Sequence, residues 1–183
     1  PGRRRWLLFV NMVAVSLVVA SMSALYTSLP DIAVAIGATQ AELTWIVDSY
    51  TLTLAGLVLT AGALGDRFGR RATLIVGLGL FTVSSVLPLW LDSPLWLIIL
   101  RAVAGVGAAF VMPSTLSLLT ASFPPERRGS AVGTWAGFAG IGGIVGLVGS
   151  GLMLQVWSWK SIFVVNSVIG LLVKGASEEE GTR

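Results

Sequence analysis

Residues 62–71 read GALGDRFGRR and lie between two long apolar runs. The first run, Trp45–Leu64, ends three residues into this stretch and has 20 residues and one charge, whereas the run after the stretch, Ala72–Leu91, has 20 residues and no charge. A helix that crosses a bilayer needs about 20 mostly apolar residues. The stretch is therefore predicted to be a short turn between two membrane helices, with its arginines at one membrane surface.

Four more apolar runs complete the pattern: Trp6–Leu29, Leu95–Thr120, Ser130–Trp157 and Ser161–Val173. The last has only 13 residues and covers roughly 20 Å as a helix, so it either extends through Gly175 and Ala176 or is truncated. None of the runs alternates as barrel strands do. We predict an all-α, polytopic membrane protein with six transmembrane helices in one domain, residues 1–176, followed by a polar tail or cloning remnant, residues 177–183.

The composition agrees with lipid as the surrounding medium. Hydrophobic residues make up 55% of the 183 residues, charged residues make up 11%, and mean hydropathy is +0.86. A soluble domain carries about 25% charged residues, and disordered chains have low hydrophobicity. The chain has no Cys and no His, which removes thiolate chemistry and the usual neutral-pH proton shuttle. We expect no enzyme activity, no metal and no cofactor.

The cations are distributed unequally between the two predicted membrane faces. Ten lie on one side, and the opposite loops hold only Lys160; the ten are Arg3, Arg4, Arg5, Arg67, Arg70, Arg71, Arg127, Arg128, Lys174 and Arg183. Such an excess is typical of cytoplasmic loops. We therefore predict that both termini are cytoplasmic, and we attribute the basic charge to topology rather than to nucleic-acid binding.

The turn at residues 62–71 resembles the signature of the major facilitator superfamily, Gly-x-Leu-x-Asp-Arg-x-Gly-Arg-Arg/Lys, at every defined position. Gly62 permits close helix contact, and Gly69 permits a tight turn with positive φ. Asp66 is able to face a helix N-terminus. The resemblance implies a cytoplasmic gating loop formed by Gly62, Asp66, Arg67, Gly69, Arg70 and Arg71.

Other stretches are similar to the fourteen-helix, proton-coupled drug-efflux branch of that superfamily. They are Trp45–Tyr50, Arg101–Ala109 and the glycines of the fifth run, among them Gly142, Gly143, Gly146, Gly149 and Gly151. The resemblance covers about residues 6–169. It implies the amino-terminal six-helix half of a cell-membrane transporter that exports lipophilic or cationic small molecules by alternating access, in exchange for protons. The glycines imply close helix-five packing.

Three positions depart from that branch. Ser21 stands where its pattern has an Asp that is a principal proton site, and Ala104 replaces a Gln. Residues 146–151 lack the Pro and one Gly of the helix-five motif. Proton coupling, if this chain has it, must therefore use another carboxylate.

Asp48 and Arg101 are the only ionisable side chains well inside the predicted spans, where charges usually face a cavity or a partner. Asp48 either exchanges its proton for a cationic substrate or is a wetted interfacial residue. Arg101 either pairs with Asp48 or clamps carbonyl groups of the first span. Asn11, Ser21 and Tyr26 give the first span polar positions that either line a substrate path or bond their own backbone; Asn166 is a weaker case of the same kind.

Transporters of this superfamily hold substrate between two six-helix halves. We expect the partners to be lipid, a small-molecule substrate, protons, and either a second half or a second copy of the chain. Three functions remain open at this point: a drug exporter or half of one, a non-transporting isolated or engineered half that serves as a membrane assembly module, and a dimeric passive pore.

Overall fold

The computed structural model describes residues 2–179, with side chains from Arg5 onward. Over those residues the chain forms six α-helices, each long and apolar enough to cross a membrane. They are α1 (Gly2–Ile36), α2 (Gln40–Phe68), α3 (Arg70–Val86), α4 (Pro94–Ala121), α5 (Arg128–Leu154) and α6 (Lys160–Glu179). The predicted all-α membrane fold is confirmed. The side chains of Arg3 and Arg4, together with residues 180–183 of the expected tail, lie outside the described residues.

Helix α1 is longer than the apolar run predicted. It continues past Leu29 and includes Pro30, and it ends at Ile36, before Gly37 with φ +64°. The next helix begins at once, because Thr39 and Glu42 form a capping box: the Thr39 amide donates to Glu42 Oε2 at 2.8 Å, and the Glu42 amide donates to Thr39 Oγ1 at 3.3 Å. Such a box satisfies amides that the first helical turn leaves free.

Helix α6 also extends beyond its predicted end. It has 20 residues and reaches about 30 Å, so the boundary expected at residue 176 falls inside the helix. The apolar run stops at Lys174 because of its charge, yet Lys174 Nζ lies 2.9 Å from Glu178 Oε1, one turn on. Ser177 is buried and its hydroxyl donates to the Val173 carbonyl at 2.9 Å. The sixth helix is therefore full-length rather than short.

Two helix pairs form the most extensive contacts of the bundle, α1 with α5 and α2 with α4. In α5, Gly142 and Gly146 lie against the backbone of Ser16 and Ala20 in α1. In α4, Gly105 lies against the Tyr50 backbone of α2. If α1, α2 and α3 are matched in order with α4, α5 and α6, the α1–α5 pair corresponds to the α4–α2 pair. This correspondence is expected of two three-helix repeats.

The predicted packing glycines of α5 divide into two groups. Gly142 and Gly146 are buried against α1, whereas a Cβ at Gly143 or Gly151 would make only ordinary contacts, and one at Gly149 would meet nothing within 4 Å. Close approach therefore occurs at a four-residue spacing, which is one face of the helix.

Helices α2 and α5 present the most exposed surfaces. In their most apolar 18-residue segments, 28% of α2 and 17% of α5 is buried, against 39–50% in the other four helices of the described chain. Many of the exposed α5 residues are aliphatic, among them Ile144, Val145 and Val148. These two helices therefore offer broad apolar faces to lipid or to another polypeptide.

Candidate functional site

A buried polar centre forms where α1, α4 and α6 meet. Ser21, Arg101 and Asn166 are 2%, 3% and 6% exposed, respectively. Arg101 Nη1 donates to Ser21 Oγ at 3.3 Å, and Asn166 Nδ2 donates to the same oxygen at 3.3 Å. One hydroxyl thus links three helices that are far apart in the sequence.

Tyr50 of α2 completes this centre. Its ring centroid lies 4.2 Å from the Arg101 guanidinium carbon, and its hydroxyl donates to the Val18 carbonyl of α1 at 3.1 Å. A cation over an aromatic face gains up to about 2 kcal/mol when both groups are desolvated. In the sequence, Tyr50 stands out only as the last residue of the Trp45–Tyr50 motif, and no separate signal there indicates a fully buried side chain.

Arg101 does not have the partner that the sequence suggested. Among residues 5–179, neither Asp48 nor any other carboxylate forms an ion pair with it, and its Nε is buried without an acceptor. Its hydrogen bond to α1 goes to the Ser21 hydroxyl rather than to backbone carbonyls. The guanidinium is thus held by neutral groups and an aromatic ring.

Asp48 and Tyr26 lie together at a different place, toward the α1–α2 connection. Both side chains are exposed, and both line a cavity of about 480 Å³ between α1 and α2. The remaining walls are mostly apolar, among them Leu29, Pro30 and Leu43. One carboxylate and one aromatic ring therefore share a cavity whose other walls are mostly apolar, with Gln40 and Thr44 as the polar exceptions.

Asn11 lies near the opposite end of α1, about 15 Å along the helix from Ser21. It is buried and lines a cavity of about 90 Å³ together with Arg71 and Ser177. The structure therefore separates Asn11 from the other polar residues of α1.

The loop between α2 and α3 has the conformation expected of its glycine. Gly69 has φ +99°, where side-chain-bearing residues are strained. Asp66 forms an ion pair with Arg70, and the Arg67 guanidinium lies 5.3 Å from the Phe68 ring centroid. A Cβ at Gly62 would make only an ordinary contact with Pro113 of α4, so the close helix contact expected at Gly62 does not occur.

A third cavity of about 310 Å³ lies between α1, α5 and α6. Its lining is apolar except for Ser16, Ser150 and Asn166. Asn166 also bonds Ser21, so its amide stands between this apolar cavity and the buried polar centre.

Six membrane-crossing helices around a buried polar centre define a polytopic membrane protein with an internal charged site. A model of the Major Facilitator Superfamily matches residues 12–175. The chain belongs to that superfamily, as its loop motif predicted; this is a family of transporters, which agrees with the expectation of no enzyme activity.

Several curated relatives are drug-resistance proteins. The methyl viologen resistance protein SmvA of Salmonella typhimurium is 37% identical over 174 residues, which is 94% of this chain and 35% of SmvA. The methylenomycin A resistance protein of Bacillus subtilis is 42% identical over 129 residues, 70% of this chain and 28% of that protein. The chain thus spans about a third of the length of the curated relatives it matches.

Solved structures agree on the fold at low sequence identity. The proton:xylose symporter XylE superposes with a TM-score of 0.83 at 15% identity, over 96% of this chain and 44% of XylE. A bacterial homolog of the human lysosomal transporter Spinster gives 0.72 at 17% identity, over 95% of this chain and 41% of the homolog. These likenesses concern the fold alone.

Proposed function

We propose that this chain acts within a cell-membrane exporter of lipophilic or cationic small molecules, which works by alternating access. The observation that carries this proposal is the cavity between α1 and α2, where Asp48 and Tyr26 share apolar walls. A carboxylate attracts a cation, and an aromatic face adds a cation–π interaction. The apolar lining contacts the apolar part of the molecule. Similarity to resistance proteins supports the same class of substrate.

The test is efflux of a fluorescent lipophilic cation, such as ethidium, from cells in which the chain is expressed within its complete, transport-active assembly. Asp48→Asn removes the charge at nearly constant shape, and we expect efflux to fall about tenfold, equivalent to ~1.4 kcal/mol. Asp92→Asn is the matched control, because Asp92 is an exposed carboxylate paired with Lys160 at 2.7 Å. Equal efflux by both variants would remove Asp48 from the substrate path.

Substitutions of Tyr26 give a second, independent test of the same cavity. Tyr26→Phe keeps the ring and is expected to preserve efflux, whereas Tyr26→Leu removes the aromatic face and is expected to reduce it several-fold. Similar efflux by the Phe and Leu variants would contradict a role for the ring.

Proton coupling in this proposal uses Asp48, because Ser21 replaces the acid of helix one. In proteoliposomes with an imposed pH gradient, export by the wild type is expected to increase with the gradient, and export by Asp48→Asn is expected to lose that dependence. Gradient-dependent export that survives in Asp48→Asn would assign coupling to another group.

A complete transport path needs a second six-helix unit. We propose that it packs on the apolar faces of α2 and α5 and is either another transporter half or a second copy of this chain. Light scattering of the purified chain in detergent separates the two: a stable dimer supports the second copy, and a monomer supports a separate half.

The non-transporting assembly module is the second candidate. It is favoured by the buried Arg101, which lies among neutral residues where the related branch pattern places an acid. Proteoliposomes that hold the complete assembly but show no substrate movement, with or without a gradient, would favour it over the exporter.

A further inference from the structure

The guanidinium of Arg101 carries a positive charge that no carboxylate neutralises within residues 5–179. Arginine stays protonated in proteins, so the group cannot become neutral by losing a proton. With 3% of the residue exposed, water offers little compensation. A buried charge without a counter-charge carries a large desolvation penalty.

The neighbours compensate only part of this charge. Tyr50 contributes the face of its ring, and Ser21 contributes one neutral oxygen that Asn166 also uses. The Nε–H of Arg101 has no acceptor. A buried donor without an acceptor is rare in native structures, so the Nε–H is a place where a bound acceptor would lower the free energy.

We propose that Arg101 binds a monovalent anion, which accepts a hydrogen bond from its Nε and neutralises its charge. The anion is either a free halide or the carboxylate of a transported molecule. Water would satisfy the Nε–H but would leave the charge unneutralised. Ser21 and Asn166 act as positioning residues: the Ser21 hydroxyl accepts from Nη1, on the side away from the orphaned donor, and Asn166 donates to that hydroxyl oxygen.

Position 21 explains why an external anion is needed. Ser21 Oγ lies 3.3 Å from Arg101 Nη1, so an aspartate at this position would place a negative charge within ion-pairing distance. The serine leaves that charge to be supplied from elsewhere. This anion site is separate from the Asp48 cavity, and its test requires no transport, so its failure and that of the proposed function are distinguishable.

The experiment measures thermal unfolding of the full chain in detergent. Sodium chloride replaces sodium methanesulfonate, a monovalent salt whose anion is neither a halide nor a carboxylate, at constant ionic strength. We expect the midpoint to rise roughly 3–5 °C for each tenfold increase in chloride above its dissociation constant. A parallel sodium acetate series separates the sources: a chloride response alone indicates a halide site, and a stronger acetate response indicates a carboxylate site.

Two variants of Ser21 form the matched pair. Ser21→Asp supplies an internal counter-charge and is expected to abolish the dependence of the unfolding midpoint on anion concentration. Ser21→Asn introduces a side chain of nearly the same shape as aspartate but without its charge, and it is expected to retain that dependence. A wild type that does not respond, or a Ser21→Asp variant that responds like the wild type, would overturn the proposal.

Bromide anomalous scattering from wild-type crystals gives a direct measurement that needs no folded variant. A bromide peak beside Arg101 Nε supports the site. Ordered water at Arg101 Nε both in crystals grown with bromide and in crystals grown with acetate, with either anion bound only at the surface, overturns it.

Discussion

Gly142 in α5 lies directly against the backbone of Ser16 in α1, and a Cβ at position 142 would come within 2.5 Å of the Ser16 carbonyl oxygen. The hydroxyl of Ser16 donates to the Phe138 carbonyl at 2.8 Å, one turn before that contact. Two helices are therefore joined through backbone atoms, which cannot move aside as a flexible side chain would. Such close approach is a principal source of helix association in lipid.

Gly142→Ala is expected to destabilise the bundle by roughly 1–3 kcal/mol, because the added methyl overpacks a backbone contact. Gly137→Ala is the matched control on the same helix, since a Cβ there meets nothing within 4 Å. The control is expected to be neutral or stabilising, since alanine favours a helix over glycine by about 1 kcal/mol. Thermal unfolding in detergent compares the two. A Gly142→Ala protein as stable as Gly137→Ala would show that α1 and α5 do not touch here.

The turn between α2 and α3 depends on a backbone conformation that only glycine adopts easily. Gly69 has φ +99°, and nothing lies within 4 Å of a Cβ placed on it. Gly69→Ala is therefore a test of strain without crowding, and we expect a loss of roughly 1–3 kcal/mol in unfolding free energy. Gly56→Ala, in the middle of α2 with equally open surroundings, is expected to cause no loss. Equal stabilities would mean that the turn relaxes at no cost.

Arg71 of the same loop stabilises the end of α6. Its Nε donates to the Ser177 carbonyl at 3.0 Å, and its Nη2 also reaches that carbonyl and the Glu178 carbonyl. The last carbonyls of a helix lack partners within it. Arg71→Ala is thus expected to speed amide hydrogen exchange in residues 174–179 several-fold. Arg67→Ala removes an exposed arginine that contacts Phe68 and is expected to leave that exchange unchanged; faster exchange in both variants would point to a general loosening.

Much of the fold follows from the sequence because lipid imposes a simple length requirement on apolar helices. Five spans, the Gly69 turn and the family were predictable from apolar runs and one loop motif. The ends of α1 and α6 were not, because Pro30 and Lys174 look like stop signals by composition. Pro30 lies inside a continuous helix, and Lys174 is compensated by Glu178 one turn later.

The polar centre was harder to predict for a different reason. Asp48 and Arg101 were the visible charges, and opposite charges suggest a pair, yet only neutral groups contact Arg101. Ser21 and Asn166 are 145 positions apart, and a hydroxyl or an amide in a membrane helix gives no sign of its partner until the helices are packed. Tertiary packing, rather than any local pattern, brings these side chains together.

Membrane orientation is open to a direct test because the chain has no cysteine. The arginine distribution predicts that the α4–α5 connection is cytoplasmic and that the α5–α6 connection faces outward. Single cysteines at Glu126 and Ser158, both exposed in those connections, provide the two reporters. In intact cells a membrane-impermeant maleimide is expected to label Ser158→Cys and not Glu126→Cys, and permeabilised cells are expected to label both. Because the connections are separated by one membrane-spanning helix, labelling of both in intact cells would contradict the six-span topology, and the reverse pattern would place both termini outside.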